Sequence, residues 1–137
     1  MLFLYIALGG AMGAVTRYLL SNWVFGRFGD TIPTGTLAVN IIGSFLLGLI
    51  YTLSLQTNLS ANTRALVTIG LLGAFTTFST FSNETLVLLQ QGSYKYGLLY
   101  LLISIILGLV AVAGGQMTAN FFLTSFKKRK EQSHETY

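Results

Sequence analysis

Apolar residues run almost without interruption through four stretches, Leu2–Phe25, Thr36–Leu55, Ala65–Gln90 and Tyr96–Phe126. Each holds about the 20 residues that a helix needs to cross a hydrocarbon layer of about 30 Å. The apolar side chains occupy successive positions and do not alternate, so the pattern predicts helices and not the strands of a membrane barrel. Between them lie Gly26–Gly35, Gln56–Arg64 and Gln91–Lys95, short segments that supply Gly, Asn, Asp, Ser or Pro for turns and caps. The expected fold is an all-α membrane protein of four transmembrane helices over residues 1–126, with a polar, basic tail over residues 127–137. The fourth stretch is long enough to tilt or to emerge at one end.

Composition strengthens this reading. Of the 137 residues 53% are hydrophobic and 9% charged, where a soluble domain is about a quarter charged. From Thr31 to Phe126 the only charged side chains are Arg64, Glu84 and Lys95. A water-soluble fold could not cover itself with so few polar heads, and the length leaves no room for a separate aqueous domain. The first stretch is expected to be a retained helix and not a cleaved signal, since no basic segment precedes it and Arg17 stands where cleavage would fall. With no cysteine, disulfides, thiolate catalysis and cysteine-bound metals are excluded. The net charge of +4 comes largely from Lys127, Lys128, Arg129 and Lys130, beside the single histidine, His134. That run is expected to lie in the cytoplasm against anionic headgroups, and nothing else in the chain supports nucleic-acid binding.

Four spans place both termini on one side of the membrane. That side carries Arg64 and the tail; the other carries Arg27 and Lys95, with Arg17 nearby. The tail favours cytoplasmic termini. Without it the charges nearly balance, the pattern of a chain inserted both ways and paired antiparallel. Gly9 and Gly13 of the first helix, and Ser104, Gly108, Ala111, Gly115 and Thr118 of the fourth, form stripes of small residues that allow close backbone approach. Either stripe alone is equally suited to packing inside one subunit. Together they predict contacts on more than one face, hence a dimer.

Polar groups inside the spans carry the candidate chemistry. Asn40, Gly43 and Ser44 lie at i, i+3 and i+4 on one face of the second helix. An amide in hydrocarbon must be satisfied; Asn40 serves either as an interhelical hydrogen-bonding group or as a donor that replaces water around an anion. In the third helix every residue from Thr76 to Asn83 bears a hydroxyl or amide except Phe78 and Phe81. Such a stretch must face a partner or a watery cavity. With Gly70 and Gly73 before it, it predicts a third helix broken near its middle. The break would free backbone carbonyls, hard ligands for a small cation, and would aim the restarting helix's donors at an anion.

Phe78 and Phe81 are either packing or, among so many hydrogen-bonding neighbours, ring edges that contact a bare anion through the positive rim of the aromatic quadrupole. Arg17 either snorkels to the interface or enriches anions at a vestibule. Glu84 is either a structural hydrogen-bonding acid or the proton and cation site of an exporter. Tyr100, one turn before Ser104, could complete a polar track.

The strings Gly35-Thr36-Leu37 with Val39-Asn40 and Gly43-Ser44-Phe45, then Gly73 with Thr76-Thr77-Phe78-Ser79-Thr80-Phe81-Ser82 and Glu84, resemble the signatures of the Fluc/CrcB fluoride channel family. Size, four spans, the arginine of the first helix and the Glu84 to Tyr100 spacing agree. The resemblance covers the chain up to about Ser125. It implies an antiparallel, dual-topology homodimer in the bacterial plasma (inner) membrane, with two fluoride pores at the subunit interface. Asn40 matches the pore asparagine and Phe78 and Phe81 the phenylalanine box. Ser79, Thr80 and Ser82 fall in the polar track, and Tyr100 matches a pore-lining tyrosine. Gly73 and Thr76 match positions whose backbone carbonyls hold a structural Na⁺ at the two-fold, and Arg17 matches a vestibule arginine. Ala74 departs from the glycine expected there, and the basic tail departs by biasing orientation.

The function so implied is passive export of fluoride through neutral donors and ring edges, with nothing catalytic. The rival is a small dual-topology, proton-coupled multidrug or cation transporter. It would need a buried acid, typically in the first helix, where this chain has Arg17.

Overall fold

The computed structural model describes residues 1–29, 31–57 and 59–134. Among these, four helical segments are long and apolar enough to cross a membrane: Leu2–Phe28, Thr34–Gln56, Ala61–Gln90 and Tyr94–Lys127. Helix α1 is Leu2–Phe28 and α2 is Thr34–Gln56. The third span is composite: a single turn, α3 (Ala61–Arg64), widens into a π-helical segment over Ala65–Leu71 and continues as α4 (Leu72–Phe75), then α5 (Phe78–Gln90). Helix α6 runs from Tyr94 to His134.

The observed spans are longer than the apolar runs. Pro33 precedes the first turn of α2. Ser60 starts the third span, its Oγ accepting from the Thr63 N–H at 3.1 Å. Between α5 and α6 the chain reverses through Gly92 at φ +78, a left-handed conformation suited to glycine. There the Ser93 N–H donates to the Leu88 carbonyl and the Gly92 N–H to the Leu89 carbonyl, the paired bonds of a Schellman turn. At the far end the backbone stays helical to His134. The boundary expected near Phe126 is therefore a change of polarity within one helix.

Helix α2 packs along α6, α5 lies on α6, and α1 crosses the π segment, α4 and α2. The small-residue stripes set these distances. A Cβ on Gly9 would collide with the Leu66 carbonyl, one on Gly13 with the Leu71 carbonyl, and one on Gly115 with the Phe45 carbonyl. At Gly108 the nearest atom would be Ser44 Oγ of α2, at 3.9 Å. At Gly9, Gly13 and Gly115 backbone thus meets backbone inside the subunit, which is the intrasubunit packing that such stripes also allow.

The core is thin, built around Val39, Leu72, Phe75, Phe81 and Tyr100. Large apolar side chains such as Phe3, Leu19, Ile69, Leu109 and Phe121 face outward, as expected where the surrounding medium is lipid.

Candidate functional site

The third span breaks where its hydroxyl-rich stretch begins. Thr76 (φ -82, ψ 154) and Thr77 (φ -147, ψ 117) are extended between α4 and α5. The broken third helix expected from the sequence is present, at the first two residues of that stretch. Thr77 caps the restarting helix: its Oγ1 accepts from the Thr80 N–H at 3.2 Å and donates to Thr80 Oγ1 at 3.0 Å.

Breaking a helix in a membrane leaves backbone groups that must find partners. Asn40 of α2 supplies two. Its Oδ1 accepts from the Thr77 N–H at 2.8 Å, and its Nδ2 donates to the Thr77 carbonyl at 3.0 Å. In a continuous helix that Thr77 N–H would go to the Gly73 carbonyl. The Ala74 carbonyl, which would accept from the Phe78 N–H, instead accepts from Arg17 Nε at 3.1 Å. Arg17 and Asn40 thus hold the two flanks of the break from different helices. The bond diverted to Asn40 leaves the Gly73 carbonyl without its helical donor.

An open groove of about 280 Å³ lies over the break, lined by Asn40, Ser44, Thr76, Thr77, Phe78, Phe81 and Ser104, with Leu47 and Ile105. Phe78 is 80% exposed, whereas Phe81 is 6% exposed. Their ring centroids lie 5.8 Å apart, and Phe81 leans on Tyr100 at 5.4 Å. Ser104 lines the groove, and its Oγ is buried with no hydrogen-bond partner.

Beneath the rings, Glu84 joins three helices. Thr36 of α2 donates to its Oε1 and Tyr100 of α6 donates to its Oε2, both at 2.7 Å. A carboxyl group tolerates this depth because two hydroxyls satisfy it. Beyond Glu84, on the side of the α1–α2 connection, lies a second pocket of about 370 Å³ lined by Ser21, Asn22, Phe25, Pro33, Gly35, Thr36 and Glu84.

Apart from Arg17, the sequence-predicted residues fall into four groups. Asn40, Phe78, Phe81 and Thr76 meet at the groove. Tyr100 is fully buried behind Phe81 and reaches Glu84, not the groove. Ser79, Thr80 and Ser82 lie on α5 outside the groove lining; Ser82 donates back to the Phe78 carbonyl at 2.8 Å. Gly73 is exposed on the outer side of α4. Among the described residues no three His, Cys, Asp or Glu side chains gather as a metal site. Sequence reasoning missed the bond from Thr36 to Glu84. Its signal is the i, i+4 spacing of Thr36 and Asn40, which sets both on the α2 face that meets the third span.

Comparison with known proteins agrees with this geometry. The family model described as CrcB-like protein, Camphor Resistance (CrcB), matches residues 4–116. A protein of Shewanella frigidimarina (strain NCIMB 400) named fluoride-specific ion channel FluC is 52% identical over 113 residues, covering 82% of this chain and 91% of the relative. Proteins of the same name from Shewanella sp. (strain W3-18-1) and Shewanella baltica (strain OS185) are 50% and 51% identical over the same shares. The matched region contains all four spans up to the middle of α6, with the break and both of its side-chain splints. This chain is a multi-pass membrane protein and belongs to the CrcB-like family.

Proposed function

We propose that the chain is a fluoride-selective ion channel of the bacterial plasma membrane, exporting the ion passively as an antiparallel homodimer with two pores at the subunit interface. The observation that carries this reading is the groove at the break: an exposed Phe78 ring beside Phe81, the Asn40 amide and the unpartnered Ser104 hydroxyl. The name shared by the relatives supports fluoride as the ion.

Fluoride is small and strongly hydrated, so a narrow path must replace its water with donors and still release it. The Asn40 amide has a second N–H beyond the one given to Thr77, and the hydroxyls of the groove and of Ser79, Thr80 and Ser82 add further donors. Ring edges of Phe78 and Phe81 contribute a weak positive rim and bar larger anions by bulk. Tyr100 fixes Phe81 from behind, and Arg17 adds positive charge beside the break. In contrast to fixed cations, neutral donors do not trap the ion.

A single subunit leaves this groove open and leaves Phe78, Ser79 and Gly73 exposed at the depth of the hydrocarbon. Hydroxyls and a bare backbone carbonyl are poorly matched to lipid; a second copy turned over in the membrane would cover them. The same pairing would bring Gly73 and Thr76 carbonyls from two subunits together, a hard oxygen set suited to a structural Na⁺. When bound there, the ion would neutralise carbonyl dipoles that the break leaves without donors.

The relatives are named channels, a function with no covalent step. In the rival transporter reading, Glu84 would exchange protons for cargo, but both its oxygens already accept from Thr36 and Tyr100. Recording in planar bilayers separates the two. The channel gives a fluoride current that follows voltage with no pH gradient present. A current that requires a proton gradient would favour the transporter.

A further inference from the structure

A pocket lies on the far side of Glu84 from the rings. It holds about 370 Å³, room for several waters at roughly 30 Å³ each. Thr36 and Glu84 form its inner wall, and Ser21, Asn22 and Phe25 of α1 form its outer one. It lies toward the end of the subunit where α1 passes into α2, about two helical turns from the end of α5 at Gln90. The groove at the break and this pocket share one polar stripe of α2: Thr36, Asn40 and Ser44 at i, i+4 and i+8, with Thr36 in the pocket and the other two in the groove.

The donor inventory of the pocket is short. The Thr36 hydroxyl proton goes to Glu84, and Phe25, Pro33 and Gly35 have no polar side chain. The remaining side-chain donors are the Ser21 hydroxyl and the Asn22 amide. An anion beside Glu84 would meet an acid's oxygens on one side and needs these two donors on the other. Ser21 and Asn22 lie one turn beyond Arg17 on α1, and both line this pocket.

We propose that Ser21 and Asn22 form, with Thr36 and Glu84, a hydrated antechamber through which the conducted anion reaches bulk water, and that the Asn22 amide contacts the ion there. The inference rests on the channel reading above. It assigns α1 a part in conduction that the groove alone does not give it.

Single-thiol labelling tests it, because the chain has no cysteine. Asn22→Cys and Val15→Cys, the latter on the outward side of α1, are reconstituted in liposomes and treated with a methanethiosulfonate reagent carrying a sulfonate. Fluoride efflux through Asn22→Cys falls at least about tenfold on labelling, equivalent to about 1.4 kcal/mol on the barrier. Efflux through Val15→Cys does not change. A donor role further requires that Asn22→Gln retain most of the flux while Asn22→Leu loses it, with both dimers eluting as wild type. Normal flux in labelled Asn22→Cys and in Asn22→Leu, beside a conducting wild-type protein, overturns the antechamber alone. Absence of fluoride flux in the wild-type protein overturns the channel reading and this inference with it.

Discussion

The Asn40 side chain pairs with both backbone groups of Thr77, accepting its N–H at 2.8 Å and donating to its carbonyl at 3.0 Å. One amide thereby does for the break what a helical turn would otherwise do. This pair of hydrogen bonds explains how the third span can leave its helix within an apolar medium, since each unpaired buried group costs about 1–3 kcal/mol. Asn40→Leu removes both partners and is expected to lower the unfolding temperature in detergent, followed by fluorescence of the single tryptophan, Trp23. Fluoride flux is expected to vanish with it. An unchanged unfolding temperature would show that the amide does not hold the break.

Phe78 and Phe81 make a matched pair of tests, because one ring is exposed and the other buried against Tyr100. Phe81→Ile loses a ring contact worth about 0.5–1.5 kcal/mol and is expected to abolish fluoride efflux while the dimer persists. Phe78→Ile is expected to abolish efflux with no loss of subunit stability. Normal flux in either variant would refute the ring-edge role.

Gly9 and Gly10 differ in what surrounds them. A Cβ at Gly9 meets the Leu66 carbonyl, whereas a Cβ at Gly10 meets nothing. Gly9→Ala is expected to push α1 off the π segment and yield aggregated protein on size-exclusion chromatography. Gly10→Ala is expected to elute as wild type, with a small gain from helix propensity of about 0.5–1 kcal/mol. Equal behaviour of the two would contradict the packing described here.

A bound Na⁺ should stabilise the dimer by mass action. The unfolding temperature is expected to rise with NaCl concentration and then level off. Replacement of Na⁺ by N-methylglucamine at constant ionic strength should reverse the gain. A flat profile would remove sodium from the account and leave the groove untouched.

Different parts of this arrangement were legible in the sequence to different degrees, for physical reasons. The spans follow from apolar runs, and the break from a Thr/Ser cluster after Gly73 that no lipid-facing helix would carry. Asn40, Phe78 and Phe81, singled out by their motifs, line one groove. The π segment at Ala65–Leu71 was not legible, because its backbone lies against Gly9 and Gly13, far away in sequence. Arg17 read as a surface or vestibule charge; its bond to the Ala74 carbonyl depends on where the third span breaks. Glu84 read as an acid near Asn83, yet its partners are Thr36 and Tyr100 on other helices. The stripes left open whether their close neighbours belong to the same chain, because spacing alone does not say; at Gly9, Gly13 and Gly115 they do.

The central claim is that the groove at the break passes fluoride and rejects chloride. Purified protein in liposomes loaded with either potassium salt, with efflux started by a potassium ionophore and read by ion-selective electrodes, addresses it directly. The account predicts fluoride efflux far above that of empty vesicles and chloride efflux equal to theirs. Fluoride efflux no faster than from empty vesicles, or equal passage of the two anions, would contradict it.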